Sequence, residues 1–454
     1  MRFLRLIPIL LSTVSAHAQL TLEQAVSQAT ARYPAVQVSL EKVSAAAAGI
    51  NLARTSYLPR ADFLGQIDRA THNNVFGLML PQPLQVVSSI SGPVLRTNSL
   101  DSVWGTAVGA LVSWEPFDFG LRKANVDAAE SARRRAQTEV NVTRLQVGAA
   151  AADSFLTILA AQQTVEAAKA GVERARVLDL VVETLVKNEL RPGAEASRTR
   201  AELALAETQL IRAEQAVDES RAALAQLLGV SPADVSLLSG KLLQLPPEAP
   251  QTPEAPASHP LAVAQSAAIE EVKAREKSLD RSFYPRFMLE ATLYSRGTGI
   301  QADGSTGNAA SGLGPNIQNW GLGMSVSFPL FERYSIRARK EIEQANERTE
   351  SARYKQIKQD IEGQIEKAKA VLAGARRVAA NTPVVVDSAR AAEVQATARY
   401  KVGLGTIVEV AEAQRLLTQA EIDDSLASLG IWRAMLGLAA AQGDLSAYLQ
   451  TAGK

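Results

Sequence analysis

The chain has 454 residues, of which 46% are hydrophobic and 21% are charged, and its formal net charge at pH 7 is +1. A net charge so close to zero provides no long-range attraction to nucleic acid, so we expect no nucleic-acid partner. The sequence contains no cysteine. We therefore expect neither disulfides nor a lipidated cysteine that would anchor the protein in a membrane.

Residues 1–18 have the pattern of a secretory signal peptide. Arg2 and Arg5 precede an apolar run, and Ala16 and Ala18 form the small-x-small pattern of a cleavage site. Beyond this segment no stretch approaches the roughly 18 continuous apolar residues of a membrane-spanning helix. The sequence thus predicts an exported protein that has no helical membrane anchor.

The remainder is predicted to contain two similar structural repeats, at residues 19–239 and 261–441. Glu195 and its surrounding motif recur at Glu409, an offset of about 214 positions. Each repeat reads helix, strand, loop, strand, long helix, turn and helix. Such self-similarity indicates one supersecondary unit that has been duplicated within the chain.

Four stretches predict β-strands, because apolar side chains alternate in them with small or polar ones. In the second stretch Trp104 and Trp114 share one face, about 33 Å apart along the strand. At a tilt of roughly 40° this spacing matches the ~25 Å apolar band of an outer-membrane barrel. Trp320 and Phe328 repeat the pattern, so we expect these four aromatics at the membrane interfaces; a half-buried soluble sheet is the alternative. The strands span about residues 61–70, 102–117, 286–296 and 318–331.

Four strands are too few to close a membrane barrel. Unpaired strand edges are not tolerated in lipid, and the smallest membrane barrels have about eight strands. Several chains must therefore each contribute a four-stranded segment. The strand count predicts an oligomer but does not give the number of chains.

Two very long helices are predicted, because the stretches after the paired strands contain almost no glycine or proline. Roughly 70 residues at 1.5 Å each give about 105 Å. Each helix ends at a short turn and returns over about half its length, and the helix before the strands is expected to supply the other half. The result would be a tube wall of antiparallel pairs. The long helices are predicted at residues 119–188 and 332–402, the turns at 189–193 and 403–406, and the return helices at 194–229 and 407–441.

Apolar residues in the second long helix recur at spacings of three and four, as in coiled-coil packing. We expect Pro383 to interrupt this helix.

Between the repeats, residues 240–260 form a proline-rich linker that should be extended and lie at mid-height outside the tube. Residues 442–454 are assigned to a C-terminal tail. The apolar residues with coiled-coil spacing in the second long helix are Ile357, Ile361, Ile365, Ala368, Leu372, Ala375 and Ala379.

With these elements in place, the chain resembles the TolC-like outer membrane efflux proteins over essentially its whole mature length. The most specific stretch is residues 400–414, which is similar to the second periplasmic turn of the family. The first turn matches through residues 191–193 and Glu195. It departs from the family at Glu189, which stands in place of glycine, and at Thr199, which stands in place of alanine.

The resemblance implies a mainly α-helical chain that forms a homotrimer in the outer membrane of a Gram-negative bacterium. A twelve-stranded β-barrel would continue into a periplasmic α-helical barrel and act as a passive exit duct. The turns would dock through a periplasmic adaptor onto an inner-membrane pump driven by protons or ATP. The turn residues concerned are Leu190, Arg191, Pro192, Gly193, Val402, Gly403, Leu404, Gly405 and Thr406.

The resemblance also assigns Glu409 and Glu412 to the closed aperture. Three positions apart, they share a helix face, and a trimer would arrange them as rings of carboxylates that favour cations. An ordinary solvated helix start is the alternative, since acids suit the positive end of the helix dipole.

Tyr400 stands at the position of the family's gate tyrosine, with Glu195 as a candidate hydrogen-bond acceptor. Gly405 stands where one well-known member has a gating arginine. That gate bond is therefore either absent or made by another residue, for which Arg191 is the candidate.

No catalytic or metal-binding pattern accompanies these features. The histidines are His17, His72 and His259, and no pair has metal-ligand spacing. Nucleophile-elbow and phosphate-binding signatures are also missing, so we expect neither enzymatic activity nor a cofactor. The alternatives are the outer-membrane component of type I protein secretion, a trimeric coiled-coil adhesin and an outer-membrane hydrolase. Drug, metal-ion and protein cargo all remain open, because the adaptor and the pump select the substrate.

Overall fold

The computed structural model describes residues 19–73, 93–94, 98–247 and 256–453. The predicted signal peptide and parts of the first long loop and of the linker lie outside the described residues. The elements are α1 (Leu22–Arg32), α2 (Pro34–Thr55), β1 (Arg60–Thr71), β2 (Ser102–Phe117), α3 (Leu121–Lys187), α4 (Gly193–Leu228), α5 (Pro260–Arg281), β3 (Arg286–Thr298), β4 (Ile317–Ser327), α6 (Glu332–Lys401), α7 (Ile407–Gln442) and α8 (Ser446–Gly453). Among the described helices, none is both long enough and apolar enough to cross a membrane.

The chain divides into two compact units. The helical unit comprises Met1–Ser44, Arg134–Ala268 and Glu350–Lys454, and the sheet unit comprises Ala45–Arg133 and Ile269–Thr349, within the residues described. The sheet unit contains all four strands, and the helical unit contains the two turns that join α3 to α4 and α6 to α7.

The strands form one antiparallel sheet in the order β1-β2-β3-β4. Its register aligns most of the large apolar residues of the four strands on one face, because directly paired residues point to the same side. One row runs from Phe63 through Ala110 and Leu293 to Trp320. The opposite face carries most of the polar and small residues together with a few apolar ones, such as Leu64, Leu111 and Met288. On this face the side chain of Tyr294 lies against Gly109. The sheet therefore has one continuous apolar face.

The last strand is shorter than the sequence predicts, ending at Ser327 instead of residue 331. Pro329 has no N–H with which to continue a ladder, and the Leu330 N–H donates locally to the Phe328 carbonyl at 2.9 Å. Phe328 thus lies beyond the strand, where its ring packs edge-on against Phe283 with centroids 5.6 Å apart.

The core of the helical unit joins α1, α3, α4, α7 and α8. Its largest fully buried side chain is Trp432, whose indole N–H donates to the Gln244 carbonyl at 2.9 Å. In α6, Ile361, Ile365 and Leu372 are buried, and the other members of the predicted apolar series pack against them or against the neighbouring core. The coiled-coil spacing read from the sequence is confirmed.

Proline did not act at every position as predicted. α6 continues through Pro383, although a proline inside a helix removes one backbone hydrogen bond. Tertiary packing offsets this loss: Thr382 donates to Asp424 of α7 at 2.7 Å, and apolar residues of α6 and α7 meet just beyond it. At the N-terminus, by contrast, Pro34 begins a new helix after a break at Tyr33.

Two segments that the sequence left without regular structure contain helical turns. The predicted tail includes α8, whose Tyr448 is buried and packs edge-on against Trp432 with centroids 6.2 Å apart. The described ends of the linker form 3-10 turns at Gly240–Leu243 and Pro256–Ser258. Burial of Leu242 in the core explains why the first of these is not extended.

Candidate functional site at the two interhelical turns

The turns after α3 and after α6 have the same backbone structure. In each, the long helix ends in a Schellman arrangement, in which two N–H groups beyond the helix bond back to its last carbonyls. The left-handed residue is Glu189 in the first turn (φ 57°) and Gly403 in the second (φ 77°). The bonds are Glu189 to Val186 (3.0 Å) and Leu190 to Leu185 (2.9 Å), and Gly403 to Tyr400 (3.0 Å) and Leu404 to Arg399 (2.9 Å).

The helices that follow the turns begin differently. Thr406 caps α7, because its hydroxyl accepts the Glu409 N–H at 3.3 Å. Pro192 occupies the equivalent position before α4 and makes no side-chain cap. The second turn therefore has a polar cap where the first depends on the fixed backbone of proline.

Tyr400 connects the second turn to the first. Its hydroxyl donates to Glu195 Oε2 at 2.6 Å, so the hydrogen bond expected from the sequence is present. The tyrosine is only 3% exposed and packs with Leu178 and Val182 of α3. Burial, the hydrogen bond to Glu195 and the charge of that carboxylate raise the pKa of Tyr400 to about 12.

Arg191 completes this group, which we call the turn cluster: Arg191, Glu195 and Tyr400. The guanidinium lies over the Tyr400 ring, 4.7 Å from its centroid, and Nη2 donates to the Tyr400 carbonyl at 3.0 Å. Nη1 lies 4.0 Å from Glu195 Oε1. The arginine considered from the sequence as a partner of the gate residues is thus in contact with both of them.

Glu409 and Glu412 are both exposed, and the turn cluster does not include them. The Glu409 carboxylate accepts from the Thr406 hydroxyl at 3.3 Å. The Glu412 carboxylate forms an ion pair with Arg415, which the sequence analysis missed. A basic residue three positions after the glutamate was the available signal.

A second polar group between α3 and α7 was also missed. Arg174 donates to the Thr418 hydroxyl and to the Glu421 carboxylate, both at 2.8 Å. Gly171 makes this approach possible, since a Cβ there would lie 3.0 Å from the Thr418 methyl group. The partners are more than 240 positions apart in sequence, and no local pattern indicates such a pairing.

The proposed girdle aromatics lie in the sheet unit. Trp104 and Trp114 of β2 share the apolar face with Trp320 of β4, which is 80% exposed. The Trp114 indole N–H donates to the Tyr57 carbonyl at 3.1 Å, and the Arg69 guanidinium lies over Trp104, 5.4 Å from the ring centroid. Such amphipathic contacts suit aromatic rings at an interface between an apolar and a polar medium.

Among the described residues, no group of acidic or histidine side chains is arranged to hold a metal ion.

A family model for the outer membrane efflux proteins matches residues 25–230 and 253–444, which is most of the chain. The chain belongs to the outer membrane efflux protein family.

Several solved channels share the fold of this efflux protein. The CmeC outer membrane channel of Campylobacter jejuni is 16% identical with a TM-score of 0.71, covering 93% of this chain and 85% of that one. The outer membrane protein VceC of Vibrio cholerae is 17% identical with a TM-score of 0.69, covering 93% and 96%. The open-state MtrE channel of Neisseria gonorrhoeae is 15% identical with a TM-score of 0.67, covering 93% and 89%.

No curated protein matches the chain significantly. The family match and the shared fold confirm the TolC-like resemblance and the mainly helical fold class with a β-sheet segment. The identities are too low to transfer the roles of individual residues from these channels to this chain.

Proposed function

We propose that this efflux protein is a trimeric exit duct in the outer membrane of a Gram-negative bacterium, which passively conducts substrates delivered by a periplasmic adaptor and an inner-membrane pump. The observation that carries the proposal is the continuous apolar face of the sheet. Large side chains on this face are exposed in the single chain, including Phe63 (77%), Leu322 (76%) and Trp320 (80%). Contact with lipid would remove this apolar surface from water.

The trimer follows from the strand edges together with the family. β1 and β4 are each paired on one side only, and an unpaired edge in lipid leaves backbone groups without partners. Three copies of this four-stranded sheet would give a barrel of about twelve strands, within the range of known outer-membrane barrels. A detergent-purified protein that light scattering finds monomeric while it retains its β-sheet signal would contradict this assembly.

Adjacent residues of β4 provide a matched test of membrane insertion. Met324 belongs to the apolar face and Ser325 to the polar face. Met324→Arg should impair barrel assembly at a cost of about 2–4 kcal/mol per chain near the midplane, whereas Ser325→Arg would face the lumen and should be tolerated. Val108 of β2 shares the apolar face, and Val108→Arg should repeat the effect. Heat-resistant trimer on a gel is the readout; equal assembly of all three variants would place the sheet outside the membrane.

The turns are proposed to dock onto the adaptor. Leu190, Val402 and Leu404 are about 70% exposed in the chain, at 67%, 70% and 72%. Exposed apolar side chains at the end of a helical hairpin are typical of a protein interface. Site-specific cross-linking from these three positions should capture the adaptor in cells; cross-links that form only within the trimer would contradict the assignment.

Glu409 and Glu412 are proposed to line the aperture at this end of the duct. Their side chains are exposed in the chain, and a trimer would bring three copies of each together. The neighbouring Arg415 compensates part of the charge of Glu412. Glu409 has no cationic partner among the ion pairs of the described residues, so it should contribute more of the cation preference.

A further inference from the structure

The apolar face of the sheet has a depression near the strand ends that lead into helices. In one row across the strands, Val112 pairs with Ala291, and Ala291 pairs with Leu322. The small side chain of Ala291 therefore lies between larger apolar neighbours, and a slot of about 290 Å³ is left above it. We call this depression the Ala291 slot; the side chains that line it are Pro59, Val112, Trp114, Leu289, Ala291 and Leu322.

The lining of the Ala291 slot suits a hydrocarbon. Glu290 also borders the slot, but strand alternation directs its side chain to the opposite face. The Trp114 indole forms one wall, and its N–H bond to the Tyr57 carbonyl at 3.1 Å fixes the ring in place. An apolar ligand in this slot would remove the lining from water, whereas a polar ligand would find no side chain with which to bond.

The Ala291 slot would stay accessible in a closed barrel. It is centred on β3, which is already paired on both sides, with β2 and with β4. The edges available to other copies of the chain are those of β1 and β4. In the proposed barrel the apolar face contacts lipid, so the slot would open into the membrane.

Aromatic rings continue the apolar face from the slot towards the helices. Phe287 lies two residues before Leu289, and hence on the same face, with its ring centroid 6.4 Å from that of Phe117. Phe119 lies 4.6 Å from Phe117 and stacks on Tyr284 at 5.3 Å. Phe117 and Tyr284 are both exposed. Exposed rings at the edge of an apolar surface are typical of a membrane interface. We call Phe117, Phe119, Tyr284 and Phe287 the aromatic cluster.

Arg281 lies over the aromatic cluster, with its guanidinium 5.8 Å from the Tyr284 ring centroid. Within the described part of the chain it forms no ion pair. Arg122, which also lies at this end of the sheet, is by contrast neutralised by Asp118 at 3.0 Å. The N–H groups of Arg281 are therefore available to an anion, and a guanidinium matches the geometry of a phosphate.

We propose that the Ala291 slot, the aromatic cluster and Arg281 form a binding site for one phospholipid of the periplasmic leaflet, with an acyl chain in the slot and the phosphate at Arg281. Along the surface the order is apolar, aromatic and cationic, which matches the acyl chain, the ester region and the phosphate of the lipid. The unpaired guanidinium favours an anionic headgroup. This inference rests on the proposed function, in which the apolar face lies in the outer membrane and the helices lie on its periplasmic side.

The test measures lipid binding to the detergent-purified trimer by native mass spectrometry, with palmitoyl-oleoyl phosphatidylglycerol as the titrant. The parent should retain one lipid per chain. Arg281→Ala should weaken binding about tenfold, because a charge-assisted contact with the phosphate is lost, and Arg281→Lys should give an intermediate value. Arg333→Ala is the matched control and should bind like the parent, since Arg333 lies over the Tyr334 ring in the same kind of contact, at 5.6 Å, away from the aromatic cluster.

The acyl chain has its own pair of variants. Ala291→Leu fills the slot with apolar atoms, so it should weaken binding by a similar factor while the heat-resistant trimer persists. Ala110→Leu makes the same change on the apolar face of β2, outside the lining of the slot, and should bind lipid like the parent. Glycerophosphate, which has the phosphate without acyl chains, should not displace the lipid.

Three results would overturn the site. They are parental binding by both Arg281→Ala and Ala291→Leu, displacement of the lipid by glycerophosphate, and equal weakening by Arg281→Ala and Arg333→Ala, which would indicate general attraction of charge. Because binding is measured without conductance, failure of the proposed function is distinguishable. A parent that retains the lipid but conducts no ions would overturn the duct alone, and a conducting trimer whose lipid binding does not depend on Arg281 or Ala291 would overturn the site alone.

Discussion

The two interhelical turns have one backbone and two sets of side chains. Both end a long helix with the same pair of hydrogen bonds and one left-handed residue. In the first turn Glu195 is largely buried and contacts Tyr400 and Arg191. At the equivalent position of the second turn, Glu409 is exposed and interacts with the cap residue Thr406. Duplication thus preserved the turn, while the two glutamates acquired different surroundings.

The surroundings of the two glutamates suit different roles. A buried carboxylate with a tyrosine and an arginine suits a fixed connection between helices. An exposed carboxylate at a helix start suits contact with solvent and ions.

The largest effect should come from bulk at the left-handed residue of the second turn. Gly403→Trp places a side chain where φ is 77°, with its Cβ 4.0 Å from Arg191 Nη2, so it should strain the turn and displace the arginine. We expect loss of export from cells while the purified trimer persists. Glu189→Trp, at the equivalent exposed position, should retain most export. Equal export by both variants would show that the second turn has no special role.

A smaller effect should follow from titration of the tyrosine. Its pKa is raised from 10.0 to about 12, so the folded state favours the neutral phenol. The resulting stabilisation is complete below about pH 10 and is lost as the pH rises towards about 12. The difference in phenolate absorbance between the parent and Tyr400→Phe should therefore develop only around pH 12. In Glu195→Gln this absorbance change should occur at lower pH. A Tyr400 phenol that titrates at its ordinary value in the parent would refute the buried hydrogen bond.

A smaller change in stability should follow from loss of the N-cap of α7. Thr406→Ala removes the hydroxyl that accepts the Glu409 N–H and should lower stability by about 1 kcal/mol. Thr406→Ser keeps the oxygen and should retain most of it. The midpoint of thermal unfolding of the trimer reports the change. If the alanine and serine variants unfold together, the hydroxyl does not stabilise the start of α7.

The smallest effect concerns Glu189, a non-glycine residue with φ 57°. A left-handed conformation costs such a residue roughly 1–2 kcal/mol. A glycine avoids this cost, but its greater freedom in the unfolded chain lowers the stability of the folded state by about 0.5–1 kcal/mol. Glu189→Gly should therefore stabilise the trimer slightly, by about 0.5 kcal/mol, while Gly403→Ala should destabilise it. Thermal unfolding of both variants measures the two signs, and a destabilising Glu189→Gly would point to an unrecognised contact of the glutamate.

Local periodicity explains what could be predicted from the sequence. The strand alternation and the three–four spacing around Ile361 repeat within a few residues, and both correspond to faces found in the structure. The Tyr400–Glu195 bond was expected from the family resemblance, since the two residues are 205 positions apart. The strand register and the pairing of Arg174 with Glu421 depend on tertiary packing, which no local pattern encodes.

The errors have similar causes. Pro383 was expected to interrupt α6, but contacts with α7 hold the helix through it. The last strand was extended too far because Phe328 continues the apolar alternation, although Pro329 ends the ladder. Glu412 was treated as free because the ion pair with Arg415 was not considered.

The division of roles between the two glutamate positions is tested most directly by ion selectivity. We would measure the reversal potential in a salt gradient, and block by a trivalent cation from the side of the turns, for Glu409→Gln with Glu412→Gln and separately for Glu195→Gln. The double variant should form trimers but lose much of the cation preference and of the block. Glu195→Gln should keep both. Selectivity and block that remain at parental values in the double variant would contradict the account and leave Glu409 and Glu412 as a solvated helix start.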